Sequence, residues 1–173
     1  MPQNVEKRYY RMHANILAAY FGFFETAECQ ALLQKILSDS TLGEVQPYFM
    51  HYLLDAVYRN GLRDTYTLSL LEMWKAPVRE CPKGLAEGFY KPEPTYRFDH
   101  SHAWGGTPAY ALPLALTGLR LRKPDFAEIS LSPSLLGLDY AAVEIPAPQG
   151  IIRVIQRKGM KPEISVPDSI TLV

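Results

Sequence analysis

The decapeptide DHSHAWGGTP, residues 99–108, is the stretch around which the rest of the sequence is organised. It places two histidines, one indole and two adjacent glycines at the entrance of an apolar segment, which we predict to be a helix over residues 103–116. Gly118 is placed to end that helix, and Pro108 and Pro113 are expected to distort it. Titratable and stacking groups at a helix entrance can face a cavity, so we predict a binding site here.

The segment that leads into this decapeptide, residues 75–99, has no clean helical or strand periodicity. Loops longer than about 12–15 residues without structure of their own are uncommon in compact domains and tend to be functional or disordered. We favour an ordered, functional loop, because this one carries four aromatic residues: Phe89, Tyr90, Tyr96 and Phe98.

The composition of the 173-residue chain is that of a globular protein with a buried core, with 47% hydrophobic and 21% charged residues. Eighteen basic residues balance eighteen acidic ones, which removes the electrostatic argument for nucleic acid or an anionic membrane as partner. No apolar run approaches the roughly 18–20 residues needed to span a bilayer. Residues 1–11 lack the pattern of a signal peptide, which leaves the localisation open. Cys29 and Cys81 form neither a disulfide framework nor a metal-ligand spacing.

The first part of the chain has apolar residues at helical spacing. It predicts four helices before the long loop, over residues 6–24, about 25–38, about 45–59 and about 64–74. Gly61 is placed to cap the third helix, and Pro77 and Pro82 to stop the fourth. These helices would either close a bundle of their own or form the last hairpins of a toroid of helical hairpins. Periodicity alone does not separate the two arrangements.

After Leu119 the apolar period changes from that of a helix to two, the period of a strand with one buried face. The alternation predicts five short antiparallel strands, at residues 127–132, 141–145, 152–154, 164–166 and 170–172. Such strands suggest part of a β-sandwich. We therefore predict an α+β, multi-domain protein in which residues 1–120 form the helical hairpins and residues 121–173 form a small C-terminal sandwich.

Several short motifs follow one another in a distinctive order. YFMHYLL (48–54), LEMW (71–74), GLAEGF (84–89) and SHAWGGTP (101–108) precede ISLSP (129–133) and PQGII (148–152). This order resembles the C-terminal end of the α-L-rhamnosidases, glycoside hydrolase family 78. That family has a helix pair, a tryptophan-containing helix end, a glutamate loop, a His-Ala-Trp helix opening and a C-terminal β-sandwich. Leu85 and Ala86 stand where the family usually has a Thr-x-Trp lead-in to the glutamate.

The resemblance implies an (α/α)6 toroid that hydrolyses terminal α-L-rhamnosides with inversion and without a cofactor. Inversion needs an acid and a base whose carboxyl groups lie roughly 6.5–9.5 Å apart. By position, Glu87 would be the general base and His102 would line the sugar pocket. The family's general acid lies upstream of the helices seen here. We therefore expect a C-terminal fragment that acts on rhamnose-containing glycans with the missing upstream part as its partner, and that is inactive alone.

Two tryptophans are candidate sugar platforms, because an aromatic face offers an apolar surface to the C–H groups of a sugar and to the methyl group of rhamnose. They are Trp104 and Trp74, and burial in the core is the alternative role for each. Among the carboxylates, Glu72 is the runner-up to Glu87, and Glu80 ranks below both. The competing functions are a non-catalytic carbohydrate-binding module and a helical module that interacts with a partner chain.

A metal site would have to use Asp99, His100 and His102. These three residues lack a fourth ligand at a zinc-like spacing, so we predict no metal.

Overall fold

The computed structural model of the protein describes residues 11–43, 45–89 and 101–173. Its α-helices in chain order are α1 (His13–Tyr20), α2 (Thr26–Ser38), α3 (Pro47–Arg59), α4 (Arg63–Leu71), α5 (Lys75–Glu80) and α6 (Thr107–Thr117). Short 3-10 helices cover Glu72–Trp74, Ala103–Gly106 and Pro124–Phe126. The strands are β1 (Arg120–Leu121), β2 (Glu128–Ser130), β3 (Tyr140–Ala147), β4 (Gly150–Arg157), β5 (Glu163–Ser165) and β6 (Thr171–Leu172). The chain is thus an α+β protein, as predicted.

The chain divides into two compact units. The first takes the described residues of Met1–Leu62 and Glu72–Thr107, and the second takes Arg63–Leu71 and Pro108–Val173. The predicted division into domains at residue 120 stays a prediction. In the part of the chain that the structure describes, no helix has the length and apolar character needed to cross a membrane.

The core of the first unit is built by α1, which packs against both α2 and α3. Its fully or nearly buried side chains come from all three helices: Ile16, Ala19, Leu33, Ile36, Met50, Leu53, Ala56 and Val57. The end of α3 is fixed by Asn60, whose buried amide nitrogen donates to the carbonyl oxygens of Ala19 and Ala56. Gly61 then adopts a φ of +73°, which ends the helix as its position predicted.

The fourth predicted helix needs a correction. We expected it to run to Trp74 and to be stopped by Pro77. In the structure α4 is followed directly by a 3-10 helix and then by α5, and Pro77 lies inside α5. Pro77 is the third residue of α5, where a backbone N–H would have no partner within the helix, so a proline is tolerated. The long loop therefore begins after Glu80, and residues 90–100 of it lie outside the described residues.

The second unit contains two three-stranded sheets, with strand orders β1-β2-β6 and β3-β4-β5. The long hairpin of β3 and β4 pairs Tyr140 with Arg157 and Val143 with Val154, and its inward-facing residues alternate as the period of two predicted. The expectation of purely antiparallel strands is wrong for one pair, because β6 runs parallel to β2. Alternation reports which face of a strand is buried and carries no information about the direction of its neighbour.

Two apolar clusters hold this unit together. One joins the end of α6 to β3 through Ala115, Leu116, Leu136, Ala141 and Val143, and the other joins the two sheets through Leu119, Ile129, Ile152 and Ile170. Gly118 ends α6 at a φ of +64°, and a side chain there would lie 2.3 Å from the carbonyl oxygen of Ser132. The glycine is therefore required both by the backbone conformation and by the close approach of the next segment.

Candidate functional site

The predicted glutamate loop and the His-Ala-Trp turn lie against each other in the first unit. The backbone N–H of His102 donates to the carbonyl oxygen of Leu85 over 2.7 Å. At Gly105 a side chain would meet the carbonyl oxygen of Ala86 at 2.5 Å and Cβ of Leu85 at 3.0 Å, so the approach depends on a glycine. The two segments are therefore in direct contact, and Glu87 follows directly on the two residues that touch the turn.

A buried tryptophan, Trp74, contacts both the turn and the loop. Its side chain is buried, with 7% of its surface exposed, and its indole N–H donates to the carbonyl oxygen of Gly105 over 2.9 Å. Its ring also meets the ring of Phe89 edge-on, with centroids 4.7 Å apart. The structure therefore gives Trp74 a supporting contact to the turn and the loop, while its role as a sugar platform stays a prediction.

The start of α3 anchors both segments. The backbone N–H of Phe89 donates to the side-chain oxygen of Gln46 over 2.9 Å, and the hydroxyl of Thr107 donates to the carbonyl oxygen of Pro47 over 3.2 Å. The proline is the first residue of α3, a position that suits its missing N–H. The glutamate loop, the turn and the first residues of α3 consequently hold one another in place.

His102 precedes the 3-10 turn, and its side chain accepts a hydrogen bond there. The backbone N–H of Trp104 donates to Nδ1 of His102 over 3.4 Å. A neutral imidazole that accepts at Nδ1 carries its hydrogen on Nε2, so Nε2 is left as a donor. The imidazole is partly exposed and meets the Trp104 ring at 67°, with centroids 4.7 Å apart. The predicted roles of His102 and Trp104 in sugar binding stay predictions.

Trp104 is half exposed, at 50%, and is stacked on the ring of Tyr48 from the start of α3, with centroids 4.4 Å apart and planes 33° apart. Tyr48 is itself 46% exposed. Its hydroxyl is hydrogen-bonded to that of Tyr52, which is the main reason why the pKa of Tyr52 is raised above its usual value. Trp104 therefore belongs to an exposed aromatic pair and not to the core.

The three candidate carboxylates lie in different settings. Glu87 is partly exposed in the loop that faces the turn. Glu72 is exposed at the start of a 3-10 helix and pairs with Lys75, and Glu80 is exposed at the end of α5. Of the three, Glu87 is the one whose loop is hydrogen-bonded to the segment of His102. Its role as a general base stays a prediction.

No group of three or more histidine, cysteine or acidic side chains capable of holding a metal occurs within residues 11–43, 45–89 and 101–173. Asp99 and His100, which the sequence brought together with His102, lie outside these residues.

Sequence reasoning did not assign Tyr48 or Gln46 to the site. Both lie near the start of the helix predicted over about residues 45–59, where an aromatic and an amide side chain are ordinary. Tyr48 contacts Trp104 and Gln46 contacts Phe89, and each contact joins residues more than 40 positions apart. A local sequence pattern does not predict such contacts. The available signal was the place of Tyr48 at the start of the YFMHYLL motif, two residues after Gln46.

The chain is an α+β protein in which helices precede two small sheets. Its candidate site combines a loop that carries a carboxylate, a histidine and an exposed pair of aromatic rings.

No protein-family model matches the sequence, and no curated protein matches it. The structure is similar to the 1.9 Å crystal structure of the GH78 family rhamnosidase of Bacillus sp. GL1, with a TM-score of 0.79 and 19% sequence identity. The match covers 95% of this chain and 19% of that chain. The resemblance to the rhamnosidases is thereby confirmed at the level of the fold, over a chain that spans about a fifth of the length of the solved one.

Proposed function

We propose that this chain is the C-terminal part of an inverting glycoside hydrolase that cleaves terminal α-L-rhamnosides, and that its helical hairpins contribute to an (α/α)6 toroid. The observation that carries the proposal is the hydrogen bond from the N–H of His102 to the carbonyl oxygen of Leu85, which joins the loop of Glu87 to the His-Ala-Trp turn. The similarity in fold to a solved rhamnosidase supports it.

In this proposal Glu87 is the general base. Its carboxylate accepts a proton from a water molecule, and the water oxygen forms a bond to the anomeric carbon while the bond to the leaving oxygen breaks. The leaving oxygen takes a proton from a general acid in the upstream part of the enzyme. Nε2 of His102 donates to a sugar hydroxyl, and the exposed ring of Trp104 contacts the apolar C–H groups and the methyl group of rhamnose.

Calorimetric titration of the 173-residue chain with L-rhamnose tests the binding half of the proposal. We expect measurable binding that His102→Ala abolishes. The matched control is His51→Ala, which removes a histidine from the middle of α3, outside the loop and the turn described above. Equal binding by the His102→Ala variant, or no binding by the unaltered chain, would contradict the proposal.

The catalytic half is tested with p-nitrophenyl α-L-rhamnoside. We expect this chain to bind the substrate without hydrolysing it, because the general acid is supplied from upstream. In an enzyme that also carries the upstream part, Glu87→Gln should abolish hydrolysis, whereas Glu72→Gln should leave it intact. Hydrolysis by the 173-residue chain alone would refute the assignment of the acid to the upstream part.

A second candidate function, a helical module that interacts with a partner chain, is favoured by one observation. The turn after α1 exposes three phenylalanines, Phe21, Phe23 and Phe24, at 63%, 73% and 50%. Exposed apolar clusters of this kind mark interaction surfaces. If they drive self-association, light scattering should show a mass that rises with concentration, and Phe23→Ser should suppress the rise. Met160→Ser, at a similarly exposed site in the second unit, should leave it unchanged.

A further inference from the structure

The sheet β3-β4-β5 of the second unit carries an open cavity of about 220 Å³ that the proposed function does not use. The residues that line it are Arg153, Ile155, Glu163, Ile164 and Ser165. Ile155 alternates along β4 with the buried residues Val154 and Gln156, so its side chain points away from the core. The outward face of this sheet therefore combines an apolar side chain with charged and hydroxyl groups.

Two ion pairs hold the charged groups of this face in defined positions, one on each side of Ile155 along the strand. Glu144 of β3 lies opposite Arg153, and its Oε1 accepts from Nε at 2.8 Å and from Nη2 at 2.6 Å. Arg157 pairs with Glu163 of β5 through Oε1. Exposed ion pairs contribute only about 0–1 kcal/mol to stability. Their definite effect here is to orient two guanidinium and two carboxylate groups around the cavity.

The charges of the face favour a neutral ligand that exchanges hydrogen bonds. Each pair holds one cation and one anion, so an ionic ligand would be attracted by one member of a pair and repelled by the other. A guanidinium has five N–H donors and a carboxylate has about four acceptor positions, so each pair can bond further groups. The hydroxyl of Ser165, which lies opposite Arg153, can donate or accept. Donors and acceptors side by side match the adjacent hydroxyl groups of a sugar.

An apolar strip lies between the two ion pairs. It consists of Ile155 and of Ala142, its partner on β3. Arg153 and Arg157 are four residues apart on one strand, which separates their Cα atoms by about 13 Å and leaves room for one ring between them. A pyranose with equatorial hydroxyls directs its axial C–H bonds above and below the ring and its hydroxyls sideways. Laid on this strip, such a ring would contact Ile155 with C–H groups and turn its hydroxyls toward both ion pairs.

We propose that the outward face of β3-β4-β5 is a non-catalytic binding site for a neutral saccharide with equatorial hydroxyls, of which a β-1,4-linked glucose chain is the simplest case. The site lies within the second unit and shares no residue with the loop of Glu87 or the turn of His102. The inference therefore does not rest on the proposed function. It gives the strands a role of their own, in which a carbohydrate is held and not cleaved.

Calorimetric titration of the 173-residue chain with cellotetraose, a neutral chain of four β-1,4-linked glucoses, tests the site. We expect binding whose dissociation constant is the same at about 50 and about 300 mM sodium chloride, because a neutral ligand is not attracted by net charge. β-1,4-Mannotetraose, in which each 2-hydroxyl is axial, should bind about threefold more weakly or worse.

Two substitutions on the exposed face separate the polar from the apolar contribution. Arg153→Gln removes the guanidinium beside Glu144 and should weaken cellotetraose binding about fivefold or more. Ile155→Thr keeps a β-branched side chain suited to a strand but makes the strip polar, and should weaken binding about threefold. Arg122→Gln is the matched control, at an exposed arginine that donates to Ser130 beside the other sheet, and should leave binding unchanged.

Backbone amide shifts, recorded by NMR during the same titration, locate the bound sugar. We expect residues 142–144, 153–157 and 163–165 to shift. No binding of cellotetraose, or shifts confined to the first unit, would overturn the site. Binding that is lost at the higher salt concentration would overturn it as well, because it would indicate attraction by charge. So would an Arg153→Gln variant that binds as tightly as the unaltered chain.

Discussion

The indole N–H of Trp74 donates to the carbonyl oxygen of Gly105 across 31 residues of sequence, and this bond joins the end of one helical segment to the turn that carries His102. The turn is in contact with the loop of Glu87 through Leu85 and Ala86. The geometry of the candidate site therefore depends on a buried tryptophan that need not touch a ligand.

Replacement of Trp74 by phenylalanine should separate this supporting role from simple aromatic packing. Trp74→Phe keeps an aromatic ring beside Phe89 but leaves the Gly105 carbonyl without its donor, which should cost about 1–3 kcal/mol of unfolding free energy. Trp104→Phe, at the half-exposed tryptophan, should stay within about 0.5 kcal/mol. Urea denaturation of the two variants gives the comparison, and equal losses would contradict the assignment.

The two adjacent glycines of the turn provide a second matched pair. Gly105→Ala should destabilise the protein by about 1–3 kcal/mol and weaken rhamnose binding, because its new methyl group would force the Ala86 carbonyl away. Gly106→Ala should be nearly neutral, since its methyl group would meet only the end of the Leu85 side chain, at 3.4 Å. Thermal unfolding and rhamnose titration of both variants check this, and a Gly105→Ala protein as stable as the parent would refute the close approach.

The pH dependence of stability should carry a contribution from His13. Burial, and then the positive charge of Arg11, lower the pKa of His13 below its ordinary value of 6.5. Above that value the imidazole is neutral in both the folded and the unfolded state. As the pH falls through it, the unfolded chain takes up the proton more readily, so the free energy of unfolding decreases.

The variant His13→Phe isolates this contribution, because a phenyl ring preserves the contact with Phe49, whose ring centroid lies 4.3 Å from that of His13. Urea unfolding between about pH 7.5 and pH 5.5 should show a smaller loss of stability in the variant than in the parent. Identical pH profiles would mean that His13 titrates equally in the folded and unfolded states.

Much of the fold follows from local patterns in the sequence. The helical stripes predicted α2 and α3 to within two residues, and the alternation in residues 141–145 and 152–154 marked the long hairpin of β3 and β4. Strand β1, Arg120–Leu121, was missed because two residues carry no periodicity. The parallel pairing of β6 with β2 joins segments about 40 residues apart, and the sequence of neither strand encodes it.

The candidate site was predictable to a smaller extent. His102 and Trp104 stood out as an unusual cluster, and Glu87 followed from a resemblance between motifs. The stacking of Tyr48 on Trp104 and the burial of Trp74 arise from packing between distant segments. Such packing is decided by the tertiary structure, so a single sequence could name these residues but not their contacts.

The central claim is that the loop of Glu87 and the turn of His102 bind one sugar together. A titration of the 173-residue chain with L-rhamnose, followed by NMR, tests it directly. The measured quantities are the chemical shifts of the backbone amides and of the indole N–H groups. We predict that the amides of residues 85–88 and 102–106 and the Trp104 indole shift together and saturate with one dissociation constant. A titration in which the two segments stay unperturbed, or in which only one of them responds, would contradict the claim.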